Sequence, residues 1–224
     1  MTGTPLAVIF DLDGTLVDTA PDLLASLNFV LTRAGHRPVV PSELRNLVGH
    51  GVRALFERAF LQTGHEVSAD ELSGFSKEFL VHYRANIARE SRPFPAVPET
   101  LDALMGQGAG LGICTNKPHD LTELLLKQLD LTRHFGAVVG GGRMPYNKPD
   151  PRHVLDVVTA LNGSPERAIF VGDSPVDVAA ARAAKIPVIA MSYGYTPVPP
   201  DELGADAVTA DFAGLPGLIS RLVR

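Results

Sequence analysis

Two aspartates, Asp11 and Asp13, stand directly after an apolar run at residues 6–10 and directly before a glycine. The apolar run predicts a fully buried strand. Ligands bind at the carboxyl ends of the strands in an open α/β sheet, so we expect the two carboxylates at a functional edge. Carboxylates fixed two residues apart are suited to binding a divalent cation and to phosphoryl or acyl transfer.

A plain turn and a calcium-binding loop are competing interpretations of this segment. Asp-Gly is a common turn dipeptide, and the segment alone leaves that interpretation open. A calcium loop of the EF-hand type needs glycine at its sixth position and glutamate at its twelfth. Here the glycine is fourth, at Gly14, and the twelfth position is Asp22. The pattern therefore excludes a calcium loop of that type.

Three further polar segments follow strand-like or glycine-rich runs. Their side chains are of the types that bind phosphate or a cation: Thr115, Asn116, Lys148, Asp173 and Asp177. If the runs are neighbouring parallel strands, these side chains meet at one edge of the sheet. Clustered carboxylates repel one another and are pushed towards protonation. A lysine ammonium group and a bound cation relieve that repulsion, and oxygen-only ligands favour Mg²⁺ over zinc.

The four segments resemble the motifs of the haloacid dehalogenase superfamily of aspartyl-phosphate phosphohydrolases. DLDGTLV, TN, KP and GDSPVD occur in that family's order and spacing. Longer stretches, including DLDGTLVDTAPDL, LVGHGVRALFERA and NKPDP, are most similar to the bacterial phosphoglycolate phosphatases of the superfamily. The resemblance implies a Mg²⁺-dependent phosphomonoester hydrolase that converts 2-phosphoglycolate and water to glycolate and phosphate.

The resemblance also assigns roles to the aspartates. Asp11 would be the nucleophile that forms the aspartyl-phosphate and a ligand of Mg²⁺. Asp13 would be the general acid and then the general base, and its backbone carbonyl would be a second ligand. Asp173 would be the third protein ligand, and Asp177 would support the ligands without touching the metal.

The remaining motif residues would act on the phosphoryl group. Thr115 would hydrogen-bond its oxygens, helped by the backbone amide of Asn116. Lys148 would keep Asp11 ionised and neutralise the charge that develops in the transition state. Cys114, beside this motif, lies in an apolar run and is predicted to be an inert core residue.

Each of these residues has a simpler interpretation when it is taken alone. Lys148 would be a solvated loop lysine, Thr115 an ordinary capping residue, and Asp173 part of a helix N-cap. Tyr193 and Tyr195 either line the wall of the site or simply pack. Only the combination of segments favours a catalytic site.

The hydrophobic pattern predicts two kinds of region. Helical periodicity occurs at residues 21–34, 41–48, 52–62 and 68–86, with no strand-like run between 17 and 92. Strand-like runs then alternate with helical ones, at 111–115, 137–140, 168–172, 188–190 and 207–208. We predict an α/β fold with a doubly wound (Rossmann-like) parallel sheet core, residues 1–16 and 94–224. Residues 17–93 would form an inserted all-helical cap domain.

Substrate selection would come from the cap. Gly49, His50 and Gly51 lie at the start of a predicted helix, where bare backbone N–H groups favour an anion. Arg53, one turn further on, and Arg45, just before, could bind a carboxylate. The alternative is an ordinary glycine turn between two helices.

Composition excludes several classes of function. The net charge of −5 argues against binding to a nucleic-acid backbone, and no basic cluster or apolar stretch predicts membrane association. The single cysteine fits a reducing compartment, and we expect a cytoplasmic monomer or homodimer. Its partner would be a small phosphorylated metabolite.

Several alternatives to the phosphoglycolate assignment stay open. They are a phosphosugar mutase on the same scaffold (β-phosphoglucomutase-like), a phosphatase for another small metabolite, and a non-catalytic binding protein. The intact set of acidic residues weighs against the last. A dehalogenase is disfavoured because halide displacement does not need Asp13. A phosphonate hydrolase would want a Schiff-base lysine, and the one candidate, Lys77, lies in a predicted exposed helix.

Overall fold

The computed structural model describes residues 5–64 and 66–223. The strands are β1 (Ala7–Phe10), β2 (Val17–Asp18), β3 (Arg92–Pro93), β4 (Gly110–Pro118), β5 (Ala137–Gly141), β6 (Ala168–Gly172), β7 (Val188–Met191) and β8 (Ala207–Thr209). Six of them form a sheet in the order β5-β4-β1-β6-β7-β8, and every neighbouring pair in it is parallel.

The helices alternate with these strands after β3. They are α1 (Ala20–Arg33), α2 (Pro41–Leu44), α3 (Val52–Thr63), α4 (Ala69–Ala85), α5 (Val97–Gly106), α6 (His119–Gln128), α7 (Pro151–Ala160), α8 (Pro175–Ala183) and α9 (Leu215–Leu222). Short 3₁₀ turns occur at Thr132–His134, Pro165–Arg167 and Pro200–Glu202. This alternation around a parallel sheet confirms the predicted doubly wound α/β fold.

Strand β1 lies in the middle of the sheet. Ile9 is opposite Gly112 of β4 on one side and opposite Phe170 of β6 on the other. Because the three strands are parallel and aligned, their carboxyl ends reach the same edge. Asp11, which directly follows β1, is therefore level with the second half of β4, next to Cys114, and with the end of β6.

The sheet is covered on both faces. Val8 and Phe10 belong to one buried apolar cluster, and Ala7 and Ile9 belong to the other. Successive side chains of a strand point to opposite faces, so β1 contributes to both cores. This explains why its sequence is apolar without alternation.

Residues 19–91, called the helical insertion below, contain α1 to α4. The two ends of this insertion are joined by the antiparallel pair β2 and β3, in which Val17 is opposite Pro93 and Asp18 is opposite Arg92. The ends of the predicted helical segment fall on this ribbon. The division into core and cap domains stays a prediction.

Buried Asp22 connects the first helix of the insertion to its last residues. Its carboxylate accepts hydrogen bonds from Glu90 N at 3.0 Å, Ser91 N at 2.8 Å and Ser91 Oγ at 2.7 Å. Each bond to a charged acceptor is stronger than a neutral one. The insertion is therefore tied to itself next to the ribbon.

The helices of the insertion differ from the prediction in one place. Helix α2 ends at Leu44, whereas the periodicity predicted a helix over 41–48. Gly49 and Gly51 have φ values of 97° and 85°, which glycine adopts without steric cost, and the chain turns there. Helix α4 begins with a capping box, in which Ser68 Oγ accepts from Glu71 N at 3.2 Å.

No helix among the described residues is both long enough and apolar enough to cross a bilayer.

Candidate active site

Asp11 and Lys148 form the centre of the site. The backbone N–H of Asp11 donates to Val171 O at 2.9 Å, which continues the sheet by one residue beyond β1. Lys148 Nζ lies 2.8 Å from Asp11 Oδ1 and 2.7 Å from Asp177 Oδ1. All three charged side chains are buried, so one ammonium group balances two desolvated carboxylates.

Burial shifts the protonation of this cluster. It raises the pKa of Asp11 from 3.8 to about 6, against the opposing effect of the Lys148 ammonium group. Burial alone would lower the pKa of Lys148, but the carboxylates of Asp11 and Asp177 hold that pKa above its ordinary value. Lys148 is therefore a permanent cation, and Asp11 needs further positive charge to be fully ionised near pH 6.

Asp177 lies in the first turn of α8 and closes the connection from β6. Its Oδ2 accepts hydrogen bonds from Asp173 N at 3.1 Å, Ser174 N at 3.0 Å and Ser174 Oγ at 2.6 Å. Its Oδ1 is bonded to Lys148. Both oxygens of Asp177 are thus engaged in holding Lys148 and the turn that carries Asp173.

Asp173 directly follows β6 and is held by two donors. Its Oδ1 accepts from Thr15 Oγ1 at 2.8 Å, and its Oδ2 accepts from Tyr195 N at 2.9 Å. A Cβ at Gly14, whose φ is +86°, would lie 2.7 Å from Asp173 Oδ2. The glycine after Asp13 therefore makes room for Asp173. Burial, and then the charges of Asp177 and Asp11, raise the pKa of Asp173 well above its usual range.

The carboxylates fit a divalent cation. Oxygens of Asp11, Asp173 and Asp177 lie within 4.8 Å of one another, and Lys148 supplies a single compensating charge. Asp177 already has partners on both oxygens, whereas Asp11 Oδ1 accepts no hydrogen bond of regular geometry. The charge of Asp177 is paired with Lys148, whereas both donors to Asp173 are neutral. Asp11 and Asp173 are the carboxylates that the family resemblance assigns to a metal, and an oxygen-only ligand set suits Mg²⁺.

Strand β4 is irregular where it reaches the site. Its register with β5 shifts between Cys114 and Pro118, and such an irregularity changes the direction of the side chains within it. Thr115 lies in this stretch, is buried, and lines a cleft together with Asp11. The structure thus brings Thr115 to the nucleophile candidate.

Asn116 connects the site to the helical insertion. Its Nδ2 donates to Gly49 O and to Lys148 O, both at 3.1 Å, and its Oδ1 accepts from Lys148 N at 3.0 Å. The side chain, rather than the backbone amide named above, makes these contacts. Asn116 fixes the loop that carries Lys148 and also contacts the glycine loop of the insertion.

Asp13 is paired with a lysine to which the sequence analysis gave no role. Lys117 Nζ donates to Asp13 Oδ1 at 2.9 Å and to Asp13 Oδ2 at 3.2 Å. Thr19 Oγ1 donates to Asp13 Oδ1 at 2.8 Å, and Lys117 Nζ also donates to Tyr83 OH at 2.7 Å. The available signal was the position of Lys117 in TNKP, two residues after Thr115 and in the same strand.

A cleft with about 620 Å³ of empty space, including its open mouth, lies above these residues. Apolar side chains of the insertion form one wall, among them Val52, Leu55 and Phe79. A neighbouring cleft shares Asp11 and Asp13 and is lined by cationic and polar residues, including Arg45, His50 and Arg58. The reactive carboxylates therefore face two walls of different chemistry.

The predicted substrate loop, Gly49 to Gly51, contributes residues to both clefts. Gly49 and Gly51 line the first cleft, and His50 lines the second. Burial, and then the charge of Arg58, lower the pKa of His50. Arg53 is not brought to either cleft: its side chain is 64% exposed and its Nε lies 2.8 Å from Glu57 Oε1. The acidic residue four positions later on α3 holds it at the surface.

Tyr195 links the ribbon of β2 and β3 to Asp173. Its hydroxyl accepts from Thr19 N at 2.7 Å and Ala20 N at 3.0 Å, and it donates to Asp18 Oδ1 at 2.6 Å. Its backbone N–H is the one that donates to Asp173. One residue therefore contacts the start of α1 with its side chain and the sheet edge with its backbone.

Tyr193 and Cys114 lie in surroundings that give them a packing role. Tyr193 OH donates to Thr15 O at 2.7 Å, and its ring packs on Phe94 with centroids 4.2 Å apart. Cys114 is buried, and burial raises the pKa of its thiol far above the ordinary value. A thiol kept protonated in the core is a poor nucleophile.

Comparison with known proteins gives a consistent result. A family model described as haloacid dehalogenase-like hydrolase matches residues 8–191. A phosphoglycolate phosphatase of Agrobacterium fabrum is 46% identical over 226 aligned positions, covering 100% of this chain and 97% of that protein. One of Caulobacter vibrioides is 44% identical, covering 93% of this chain and 88% of that protein.

A solved structure shares the whole architecture. The crystal structure of a predicted phosphoglycolate phosphatase from Haemophilus somnus superposes with a TM-score of 0.90 at 31% identity. The match covers 97% of this chain and 99% of that chain. The sheet and the helical insertion are therefore both present in that relative.

Proposed function

The chain belongs to the haloacid dehalogenase-like hydrolases and is a phosphatase, and from this premise we propose that it hydrolyses 2-phosphoglycolate through an aspartyl-phosphate on Asp11. The observation that carries the proposal is the difference between two neighbouring aspartates. Both line the cleft, but the Asp11 side chain is 12% exposed and lies between Lys148 and the sheet edge, whereas the Asp13 side chain is 20% exposed and lies beside Lys117. The first environment suits a nucleophile and the second suits a group that exchanges protons.

The first half-reaction forms the covalent intermediate. A carboxylate oxygen of Asp11 attacks phosphorus, the bond between phosphorus and the ester oxygen breaks, and Asp13 gives that ester oxygen a proton. Glycolate leaves as an alcohol rather than as an alkoxide. Splitting one difficult displacement into two steps is the general benefit of covalent catalysis.

The second half-reaction regenerates the enzyme. Water attacks the phosphorus of the aspartyl-phosphate, and Asp13 takes a proton from this water. The phosphorus–oxygen bond to Asp11 breaks, which releases inorganic phosphate and restores the carboxylate. One residue thus acts as acid and then as base, as general acid–base catalysis allows when geometry is maintained.

The surrounding residues stabilise the charge on the phosphoryl group. Thr115 offers a hydroxyl from the irregular end of β4, and Lys148 offers a fixed positive charge. Lys148 is pre-organised by Asp177 and by Asn116, so little reorganisation is needed during the reaction. Asp11, Asp173 and, by family resemblance, the backbone carbonyl of Asp13 would hold Mg²⁺, which supplies positive charge against the phosphoryl oxygens.

The choice of 2-phosphoglycolate rests on the named relatives and on the charge around the cleft. Relatives at 46% and 44% identity carry the name phosphoglycolate phosphatase. The walls next to Asp13 contain Lys117, Arg45 and Arg58, which favour a substrate with an anion besides its phosphate. Hexose phosphates lack that second anion.

A substrate panel tests this proposal. Phosphate release would be measured with 2-phosphoglycolate, hexose phosphates and nucleotides in Mg²⁺. We expect kcat/KM for 2-phosphoglycolate to exceed that for every other compound by about tenfold or more, the value of one well-placed charged contact. Isomerisation of a hexose phosphate without phosphate release would favour the mutase instead. No turnover of any compound would favour a binding protein.

A further inference from the structure

Lys117 is a desolvated cation in the wall of the catalytic cleft. Its side chain is 2% exposed, and its ammonium group lies 2.9 Å from Asp13 Oδ1 and 2.7 Å from Tyr83 OH. The aromatic ring of Tyr83 is also close, with Nζ 4.5 Å from its centroid. A buried ammonium group needs an anionic partner, and among the described residues that partner is Asp13 alone.

The two buried lysines of the site differ in this respect. Lys148 contacts two carboxylates, those of Asp11 and Asp177, and keeps one partner while the other reacts. Lys117 shares its single carboxylate with the reaction, because Asp13 has to contact the leaving oxygen. When Asp13 turns to that oxygen, Lys117 keeps its contacts to Tyr83 but has no anionic partner among the described residues.

Tyr83 provides a second free donor at the same place. Its hydroxyl oxygen accepts from Lys117, and the structure gives the hydroxyl proton no acceptor within residues 5–64 and 66–223. The side chain is 1% exposed, so bulk water does not serve it readily. An N–H of Lys117 and the O–H of Tyr83 together form a pair of donors suited to a carboxylate.

We infer that Lys117 and Tyr83 bind the carboxylate of the substrate, which replaces Asp13 as the anionic partner of Lys117. This inference rests on the proposed function, since it assumes a small phosphate ester with a carboxylate. The exchange leaves the number of ion pairs unchanged and frees Asp13 for the leaving oxygen. A substrate without a carboxylate offers no replacement, so selectivity follows from the same contact that releases the acid.

Arg45 and Arg58 are the competing cations. Both line the neighbouring cleft. Arg45 is exposed. Among the described residues, the one hydrogen-bond acceptor of Arg58 is the carbonyl of Asn46 at 3.4 Å. Contacts in solvent are weakened by water and salt. Lys117 is desolvated, so the same contact discriminates more strongly there.

The test measures selectivity rather than rate alone. The ratio of kcat/KM for 2-phosphoglycolate to that for ethyl phosphate, a close analogue without the carboxylate, would be determined for Lys117→Met. We expect this ratio to fall by about 10- to 100-fold, as the loss of a charge-assisted contact implies. Lys127→Met, on the exposed side of α6, is the matched control and should keep the wild-type ratio.

Tyr83→Phe provides a second variant that keeps the shape of the core. It should lower the ratio by about three- to tenfold, because one neutral donor is worth less than a charged one. It also decides the question if Lys117→Met does not fold. An unchanged ratio in Tyr83→Phe and in any folded Lys117→Met would overturn the inference. So would equal losses on both substrates, since these would mean that Lys117 serves Asp13 only.

A different result is expected if 2-phosphoglycolate is not the substrate. In that case the wild-type enzyme itself would show no preference for 2-phosphoglycolate over ethyl phosphate. A wild-type preference that survives in Lys117→Met but disappears in Arg45→Met would keep the proposed function. It would assign the carboxylate to the other wall and would overturn the role of Lys117.

Discussion

The ion pairs at the sheet edge are buried, whereas a comparable ion pair of the helical insertion is exposed to solvent. At the sheet edge, Lys148 is buried between Asp11 and Asp177, at 2.8 and 2.7 Å. In the insertion, the side chain of Arg53 is 64% exposed and pairs with Glu57 on its own helix. Buried pairs are costly to break, whereas exposed pairs contribute little.

This difference separates two tasks. Phosphoryl transfer needs charges fixed in one geometry, and the ends of parallel strands provide that rigidity. Recognition of a substrate tolerates looser elements. The residues that link the regions are therefore informative: Asn116 contacts Gly49, and Lys117 contacts Tyr83.

The largest effect should come from the buried cation of the sheet edge. Lys148→Met removes the partner of Asp11 and Asp177 and should lower kcat by about two to three orders of magnitude. It should also lower the free energy of unfolding by about 3–5 kcal/mol, since uncompensated charges stay buried. Phosphate release and denaturant unfolding would be measured beside Lys127→Met. Activity within tenfold of wild type would show that the buried network is not central.

The metal-free sheet edge should show a distinct pH dependence. Burial raises the pKa of folded Asp11 from 3.8 to about 6, so the folded protein binds more protons than the unfolded chain in this interval. The free energy of unfolding then decreases as pH rises through it, by on the order of 2–3 kcal/mol from this group. Above about pH 6, Asp11 is ionised in both states, and its effect on the free energy of unfolding no longer changes with pH.

Asp11→Asn isolates that contribution. In chelator, its stability should lack this part of the pH dependence, and the difference between the two proteins would be measured by denaturant unfolding from pH 4 to 7. Adding Mg²⁺ should stabilise the wild type more than Asp173→Asn, and Mg²⁺ should restore chelated activity better than Ca²⁺. Identical pH profiles for wild type and Asp11→Asn would contradict the raised pKa.

A smaller effect is expected where the two regions meet. Tyr195→Phe removes the hydroxyl that contacts Thr19, Ala20 and Asp18, but it keeps the backbone contact to Asp173. We expect kcat/KM to fall about tenfold, because the hydrogen bonds that position the start of α1 are lost. The Mg²⁺ requirement should be unchanged. Tyr146→Phe, which loses a bond to Asp156 outside the site, is the control. A weakened Mg²⁺ affinity would show that the contacts of the Tyr195 hydroxyl also support the metal site.

The smallest effect should be at the surface of the insertion. Arg53→Ala breaks an exposed pair worth about 0.3–0.5 kcal/mol and should change kcat/KM for 2-phosphoglycolate by less than about twofold. Steady-state kinetics with 2-phosphoglycolate and ethyl phosphate would measure it. A tenfold rise in KM confined to 2-phosphoglycolate would indicate that Arg53 binds the substrate carboxylate during turnover.

The sequence pattern was sufficient for the sheet edge. Strands such as β1 and β6 are apolar on both faces, so their ends are clear, and the residues after them must meet at one edge. The pairing of Lys148 with Asp11 follows from charge balance among clustered carboxylates. These features depend on local pattern and on one rule of sheet topology.

Contacts that depend on distances between distant elements could not be predicted in this way. Lys117 and Asp13 are far apart in the chain, and their pairing requires the irregular end of β4. The hydrogen bond that Thr19 N donates to Tyr195 OH likewise depends on how the ribbon of β2 and β3 packs against the residues after β7. By contrast, the surface position of Arg53 had a local signal, because Glu57 four residues later competes for it.

Chemical detection of the covalent intermediate tests whether Asp11 is the nucleophile. Wild-type protein and Asp11→Asn would be mixed with 2-phosphoglycolate and Mg²⁺, quenched in acid within one turnover, and analysed by peptide mass spectrometry. We expect a phosphoryl group on the peptide that contains Asp11 in the wild type. We expect none in Asp11→Asn, whose thermal denaturation should show an intact fold. Rapid turnover by folded Asp11→Asn, or a phosphoryl group on another residue, would show that Asp11 is not the nucleophile.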